Sequence, residues 1–255
     1  MADVATLPTV RPSNRDEDWR YSDSAYLAAA DLAAIHHWRR LEVPAGETRD
    51  EIFTFLDDTS GTERLRVNVG AGGTFTCFAA ITGGRYRRLE LEITLSEGAH
   101  FEFGGVTVGG GEMVQEFVTR VIHAEPDGTS NQVVRAVQGG TSTGNFLGRI
   151  EVVRDAQKTD AAQNFRALLL EKGASANTKP ELEIFADDVK CAHGAAIGAL
   201  DDSAAFYMAA RGLPPEVARR LLVQAFIGDA FAAMADDEAR EVMLGHVLEK
   251  LGDAV

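Results

Sequence analysis

The chain has 255 residues, a formal net charge of −14 and two cysteines. This length is enough for one domain with a large core and short appendages. The negative charge argues against binding to nucleic acid or to an anionic membrane surface, because both require a basic protein surface. Two cysteines suit a reducing compartment, and the sequence has neither an apolar signal segment nor a run of transmembrane length. These features predict a cytoplasmic protein.

Residues 1–60 are predicted to form an N-terminal arm followed by short helices. Residues 1–18 are polar and contain two prolines, and Trp19 and Tyr21 are expected to anchor the end of this arm. Residues 24–40 favour one or two short helices. A run of Asp, Thr, Ser and Gly then ends the segment before residue 61.

Residues 61–199 form the second predicted unit, in which short strand-like runs follow one another without helical interludes. Leucine and isoleucine alternate with glutamate and threonine over residues 89–95, which is typical of a strand with one buried face. Such a series fits an all-β coil, sandwich or barrel, and the periodicity does not choose among them. The clearest predicted strands are 65–69, 74–81, 89–95, 100–108, 116–123, 131–138, 145–153 and 164–170.

Glycine pairs and triplets punctuate this region and are predicted to form its turns, since glycine tolerates a positive φ. They do not form a phosphate-binding loop, because the GxxxxGK[ST] pattern is absent. The HExxH, GxSxG and CxxC motifs are absent as well. Cys77 lies within an apolar run and is expected in the core. The predicted turns are Gly83-Gly84, Gly104-Gly105, Gly109 to Gly111 and Gly139-Gly140.

Residues 200–255 form a predicted C-terminal helical domain. Asp201, Asp202 and Ser203 are good N-cap candidates for a helix over residues 204–211, which Gly212 ends. Pro214 and Pro215 open the next helix. Such helices either cap the open end of the β-core or dock onto another protein. A last amphipathic helix is marked by Val242, Met243, Val247 and Leu251.

Cys191 and His193 are the candidate metal ligands. They alternate with small residues in a strand-like run, so their side chains share one face about 6–7 Å apart. One interpretation is a buried small side chain beside a histidine with an ordinary partner. The other is a pair of metal ligands, or a thiol beside a proton acceptor. Two ligands do not complete a zinc or iron–sulfur site, so further ligands would come from another chain.

One long stretch carries a family resemblance. Residues 179–214, KPELEIFADDVKCAHGAAIGALDDSAAFYMAARGLP, resemble the SufB/SufD family of iron–sulfur cluster assembly proteins. The CAHGA run at residues 191–195 is similar to the SufD side, since SufB-type chains typically carry an EHEA-like run there. The segment RDEDWRYSD at residues 15–23 also resembles a short segment of this family, whose members are usually longer, with more helix before the core.

The resemblance implies a parallel β-helix core with a C-terminal α-helical subdomain and a short N-terminal helical segment. It implies a scaffold subunit without enzymatic turnover, which pairs with a SufB-like subunit through the β-core and with a SufC-like ATPase through the C-terminal helices. ATP-driven movement would then rearrange the SufB–SufD interface and admit iron and sulfur. His193 would be the interface ligand, assisted by or packed beside Cys191. Iron or a nascent iron–sulfur cluster would be bound in the complex. This chain alone would bind no cofactor tightly.

Two other functions remain open. A β-helix carbohydrate lyase or hydrolase would use paired carboxylates, and Asp187-Asp188 and Asp201-Asp202 are available. Neighbours in a strand point to opposite faces, however, so neither pair is a natural acid–base couple. A purely structural protein would instead form a homodimer through its β-edge. The sequence carries no flavin fingerprint.

Overall fold

The structure, a computed structural model, describes residues 10–254, with the backbone alone for Asp202 and residues 252–254. Within that range the chain forms a parallel β-helix with short helices before it and three longer helices after it, as the sequence and the family resemblance predict. No helix of the described residues is long and apolar enough to cross a membrane. The predicted arm residues 1–9 lie outside the described range.

Twelve strands form the β-helix within the described range. They are β1 (Arg39–Val43), β2 (Thr48–Phe55), β3 (Gly61–Val69), β4 (Thr74–Ile81), β5 (Tyr86–Leu95), β6 (His100–Gly109), β7 (Val114–His123), β8 (Thr129–Gln138), β9 (Thr143–Val152), β10 (Asp160–Leu169), β11 (Ser175–Ile184) and β12 (Lys190–Gly198). The helices are α1 (Ser24–Ala29), α2 (Leu32–His36), α3 (Asp202–Ala210), α4 (Pro215–Gly228) and α5 (Asp237–Ala254).

Consecutive strands alternate between two parallel sheets that face each other. One sheet has the order β1-β3-β5-β7-β9-β11 and is called the odd-strand sheet here; the even-strand sheet has the order β12-β10-β8-β6-β4-β2. One coil therefore comprises two strands and their turns. Residues stacked in neighbouring coils are 26 positions apart early in the odd-strand sheet and 32 positions apart at its end.

The core lies between the sheets, where inward side chains from successive coils stack on one another. Phe75 of β4 and Phe101 of β6 stack in this way, with ring centroids 5.8 Å apart. Phe146 of β9 and Phe165 of β10 pack across the interior from opposite sheets, with ring centroids 5.9 Å apart. Cys77 is fully buried in this core, which confirms the prediction, and burial raises the pKa of its thiol. Stacking of like side chains keeps the register of the coils, because a slip of one residue would turn the apolar side chains outward.

All eight predicted strands are strands in the structure. The β-helix begins earlier than residue 61, with β1 and β2, and the predicted short helices before it are α1 and α2. The first coil was missed because its strands expose one face and carry many charged residues, so they lack the apolar alternation of the later coils.

The prediction that Gly104-Gly105 forms a turn is wrong, because both residues lie in the middle of β6. A Cβ atom on Gly104 would lie only 1.9 Å from the backbone oxygen of Ala230, in a short 3-10 helix over Asp229–Phe231. Glycine is needed there for close approach of two backbones. The turn prediction is confirmed at Gly111 and Gly140, which have φ values of +56° and +58°.

The C-terminal helices pack on the side of the β-helix, so the expectation that they cap its open end is wrong. Outward apolar side chains of the even-strand sheet, such as Phe78 and Val106, form one cluster with Val223, Phe231 and Val247 of the helical part. This outward face is apolar and must be covered. The predicted N-cap is confirmed, since the Asp201 carboxylate accepts a hydrogen bond from the Ser203 N–H at 2.8 Å.

The N-terminal segment is tied to the outer face of the odd-strand sheet by a buried polar network. Arg88 is fully buried and donates to the backbone oxygen of Asp18 at 2.7 Å. The Ser22 hydroxyl donates to Glu116 at 2.8 Å, and Arg88 also pairs with Glu116 at 3.3 Å. Trp19 is buried, and the Cζ atom of Arg88 lies 3.9 Å from the centroid of the Trp19 ring. This contact confirms the predicted anchoring role of Trp19.

Candidate functional site

β12 is the terminal strand of the even-strand sheet. It pairs with β10 on one side and, within residues 10–254, with no strand on the other. β11 holds the same terminal position in the odd-strand sheet. The two strands therefore form an open end of the β-helix, whose free backbone N–H and C=O groups can accept a further strand.

This open end carries exposed apolar side chains. Ile197 of β12 is 46% exposed, and Phe185, directly after β11, is 63% exposed. Beneath them lies a small buried cluster that includes Ile150, Val152 and Ala161. An apolar edge of this kind is typical of a surface that another protein covers, because exposed flat strands otherwise aggregate.

Cys191 and His193 lie in β12 and alternate on one face, as predicted. In the register with β10 they stand beside Ala161 and Gln163, which are both buried and point into the β-helix. The face of β12 that carries Cys191 and His193 therefore continues the interior of the β-helix to its open end. Both residues occupy positions that an additional coil, or a partner protein, would cover.

Cys191 is half-buried and packs beside the cluster beneath the open end. Burial, and then the carboxylate of Asp160, raise the pKa of its thiol. The neutral thiol is favoured, so Cys191 is not an activated nucleophile in the isolated chain. A bound metal ion would have to displace the thiol proton.

His193 is exposed. Its register neighbour Gln163 is only 2% exposed, and the Oε1 atom of Gln163 has no hydrogen-bond partner among the described residues. Sequence reasoning missed Gln163, although a polar residue at an inward position between Ala161 and Phe165 is a recognisable signal. A buried acceptor without a donor is costly and rare in native proteins.

Cys191 and His193 supply only two of the ligands that a metal site at this end would need. In residues 10–254 no group of three or more His, Cys, Asp and Glu side chains is arranged to hold a metal ion. One imidazole and one thiol match the chemistry of iron and of iron–sulfur clusters, which usually have four protein ligands. Any complete site here requires donors from a second chain.

The carboxylates considered for acid–base catalysis have separate roles. Asp188 forms an ion pair with Lys158, and Asp201 caps α3. These contacts favour structural roles for both residues.

A second exposed apolar surface lies on α3 and α4. Phe206 is 76% exposed and Tyr207 is 56% exposed, and Val217 and Leu221 of α4 are also exposed. Aromatic side chains that are this exposed on neighbouring helices are typical of protein-binding surfaces. We call these four residues the α3–α4 patch.

The sequence matches known proteins over most of the β-helix. Residues 51–226 match the family described as the SufBD core domain of the SUF system for FeS cluster assembly. A chloroplastic protein of Arabidopsis thaliana, ABCI7, is 39% identical over 137 residues, which are 53% of this chain and 29% of that protein. The iron-sulfur cluster assembly protein SufD of Escherichia coli is 35% identical over 122 residues, 48% of this chain and 29% of its own length.

An iron-sulfur cluster assembly SufBD family protein of Synechocystis is 38% identical over 148 residues, which are 58% of this chain and 33% of that protein. The matched part of this chain thus spans a third or less of each of these relatives. The family match itself extends from β2 into α4, and it includes the whole open end with Cys191 and His193. This chain therefore belongs to the SufB/SufD family of iron–sulfur cluster assembly proteins and is of the SufD type.

Proposed function

We propose that this chain is a scaffold subunit without its own turnover, acting in the cytoplasm in a complex of the SufB–SufC–SufD kind. The observation that carries the proposal is the open end formed by β11 and β12, where His193 is exposed on a strand without an outer neighbour in the described part of the chain. A SufB-like subunit would pair with this end, extending the sheets across the interface.

His193 and Cys191 would supply donors from this side of the interface, and the SufB-like subunit would supply the rest. Iron and sulfide are the cargo of this site. Ligation by His193 requires the neutral imidazole. Cys191, with its raised pKa, would join the ligand set only when the arriving metal ion displaces the thiol proton, which is released to solvent.

A SufC-like ATPase would bind the α3–α4 patch. α4 also packs on β8 and, through the same apolar cluster, on β4 and β6. Movement of an ATPase bound to these helices would therefore displace the β-helix as well. Such a displacement would rearrange the interface between the open end and the SufB-like subunit. Contiguous packed elements of this kind can transmit such a movement.

Co-purification tests the proposal. The full-length chain is produced with SufB-like and SufC-like proteins from its own source, as wild type, His193→Ala and, as a control, Lys190→Ala. Lys190 lies in the same strand but on the outward face. We expect a ternary complex in all three cases and a loss of iron and sulfide only for His193→Ala. Absence of any complex would contradict the scaffold role, and normal iron in His193→Ala would reduce His193 to an interface residue.

A structural homodimer is the second candidate, because the same open end suits a second copy of the chain. Light scattering on the purified chain, alone and with the SufB-like protein, separates the two functions. A dimer that persists in the presence of the SufB-like protein would favour the homodimer, whereas its replacement by a heterodimer favours the scaffold.

A further inference from the structure

A groove on the outer face of the odd-strand sheet has no part in the function proposed above. Its volume is about 230 Å³. Its basic wall consists of Arg66, Arg120, Arg149 and Lys179, and we call it the arginine groove. It lies beside the docked N-terminal segment, on the sheet opposite to the one covered by the C-terminal helices.

The three arginines come from one row across the sheet. In the parallel register, Arg66 stands beside Glu92, Glu92 beside Arg120, and Arg120 directly beside Arg149. Each of these two guanidinium groups is already partly neutralised by glutamates, Arg120 by Glu151 and Arg149 by Glu181 and Glu183. An anion between Arg120 and Arg149 would use the N–H groups that these glutamates leave free.

The arginines retain free hydrogen-bond donors. Each guanidinium has five N–H groups in a fixed fork, and among the described residues each of the three uses one of them for a hydrogen bond. Their side chains are between 31% and 45% exposed, so the remaining donors are accessible from the groove. The hydrogen bonds are Arg66 Nε to Glu92 (2.7 Å), Arg120 Nη2 to Glu151 (2.8 Å) and Arg149 Nη2 to Glu181 (3.2 Å).

The floor of the groove is apolar, and a hydrogen bond holds one part of its rim. Val118 and Leu147 form the floor and are 7% and 6% exposed. Trp38 and Asp18 line the rim, and the Arg88 guanidinium holds the backbone oxygen of Asp18 at 2.7 Å. The groove is therefore a preformed concavity with an apolar base and convergent donors, which is typical of small-molecule sites.

We propose that the arginine groove binds a small organic oxyanion, a carboxylate or a phosphate ester. Guanidinium forks recognise both groups by paired N–H···O hydrogen bonds. The carbon skeleton of the ligand rests on Val118 and Leu147. Lys179, which is paired with Glu17 and Glu181, is a fourth cation at the border of the site. Four acidic side chains line the groove. Three of them are paired with arginines, Glu90 with Arg64, Glu92 with Arg66 and Glu181 with Arg149, and the fourth, Asp18, lies on the rim, away from the Arg120 and Arg149 pair that would hold the anion.

Isothermal titration calorimetry at low salt tests this proposal, with citrate as the carboxylate probe and glycerol 3-phosphate as the phosphate-ester probe. The variants are Arg120→Gln and Arg149→Gln. The control is Arg49→Gln, which removes an arginine that is also paired with a glutamate, Glu51, but lies in β2 outside the groove. Melting curves verify that each variant is folded, which we expect because these side chains are partly exposed.

We expect at least one probe to bind the wild type, about tenfold or more weaker binding in each groove variant, and unchanged binding in Arg49→Gln. The probe that binds tighter identifies the ligand class. Failure of both probes to bind the wild type overturns the proposal. Equal binding in the groove variants, or equal weakening in Arg49→Gln, also overturns it, since binding would then reflect general charge.

Discussion

His193 stands directly beside Gln163 in the register of β12 and β10, yet His193 is exposed and Gln163 is buried. Both side chains belong to the face that points into the β-helix. The difference arises because β10 is followed by another coil and β12 is not. The last coil of the described structure therefore presents interior positions to a partner.

The first prediction concerns His193. Because it is exposed, His193→Ala should change the free energy of unfolding by less than about 0.5 kcal/mol. It should nevertheless lower the iron content of the complex with SufB-like and SufC-like proteins. Urea unfolding of the isolated chain and metal analysis of the complex measure the two effects, and Lys190→Ala should alter neither. A large loss of stability in His193→Ala would mean that the residue packs rather than binds.

The second prediction separates docking from packing in the helical part. Phe206→Asp, at a highly exposed position, should leave the melting temperature unchanged and weaken binding of the SufC-like ATPase at least tenfold. Phe226→Asp should destabilise the fold by about 2 kcal/mol or more, because this ring packs against the sheet and lies 5.8 Å from the Arg135 guanidinium. Melting curves and surface plasmon resonance measure the two effects. Unchanged affinity in Phe206→Asp would exclude the α3–α4 patch as the docking surface.

The third prediction concerns the network that holds the N-terminal segment. Arg88→Met leaves the buried Glu116 without its cation and should cost about 3–5 kcal/mol of stability. Without the Arg88 guanidinium on its ring, Trp19 should become more exposed to water, so the combined emission of the two tryptophans should shift to the red. Denaturant unfolding and emission spectra measure these effects. As a control, Arg20→Met removes an exposed ion pair with Glu17 and should change stability by less than about 1 kcal/mol.

The fourth prediction is a pH dependence that comes from His123. Burial lowers the pKa of its imidazole from 6.5 to about 4, and its Nε2 atom shares a hydrogen bond with Ser130 at 2.9 Å. Between these two pKa values the unfolded chain binds a proton that the folded chain does not. Stability is therefore fully present above pH 6.5 and is lost as the pH falls towards 4. We expect a loss of about 2 kcal/mol between pH 7 and pH 5.

Urea unfolding at several pH values measures this loss, and His123→Gln is the matched variant. Glutamine keeps a polar group of similar length but does not titrate. The loss of unfolding free energy between pH 7 and pH 5 should therefore be only a small fraction of the wild-type loss. If the variant loses stability with the same slope as the wild type, another group causes the pH dependence. Glu90 does not account for it: burial opposes the ionisation of its carboxyl group, but Arg88 and Arg64 lower the pKa below the ordinary value, so the group is protonated only below this pH range.

Much of the fold follows from local patterns in the sequence. The alternation over residues 89–95 predicts a strand with one buried face, and β5 has it. Asp201 and Gly212 mark the ends of the first C-terminal helix by cap chemistry, which involves only neighbouring residues. The two-sheet β-helix itself followed from the family resemblance, because periodicity does not distinguish it from a sandwich or barrel.

The candidate site was predictable only in part. The spacing of Cys191 and His193 places them on one face of a strand, whatever the strand packs against. Gln163, with its buried acceptor, and the arginine groove depend on contacts between residues that are about 30 positions apart in the chain. Such contacts leave no local signal in one sequence.

The sequence by itself determined the strands of the central coils, the helix caps, the acidic charge and the shared face of Cys191 and His193. These features depend on side chains within a few residues of one another. Only the tertiary structure decided that the C-terminal helices cover the side of the β-helix. It also decided that β12 is the last strand of the β-helix within the described residues. The physical reason is that burial depends on which coils stack, so the same alternating pattern is interior at Gln163 and exposed at His193.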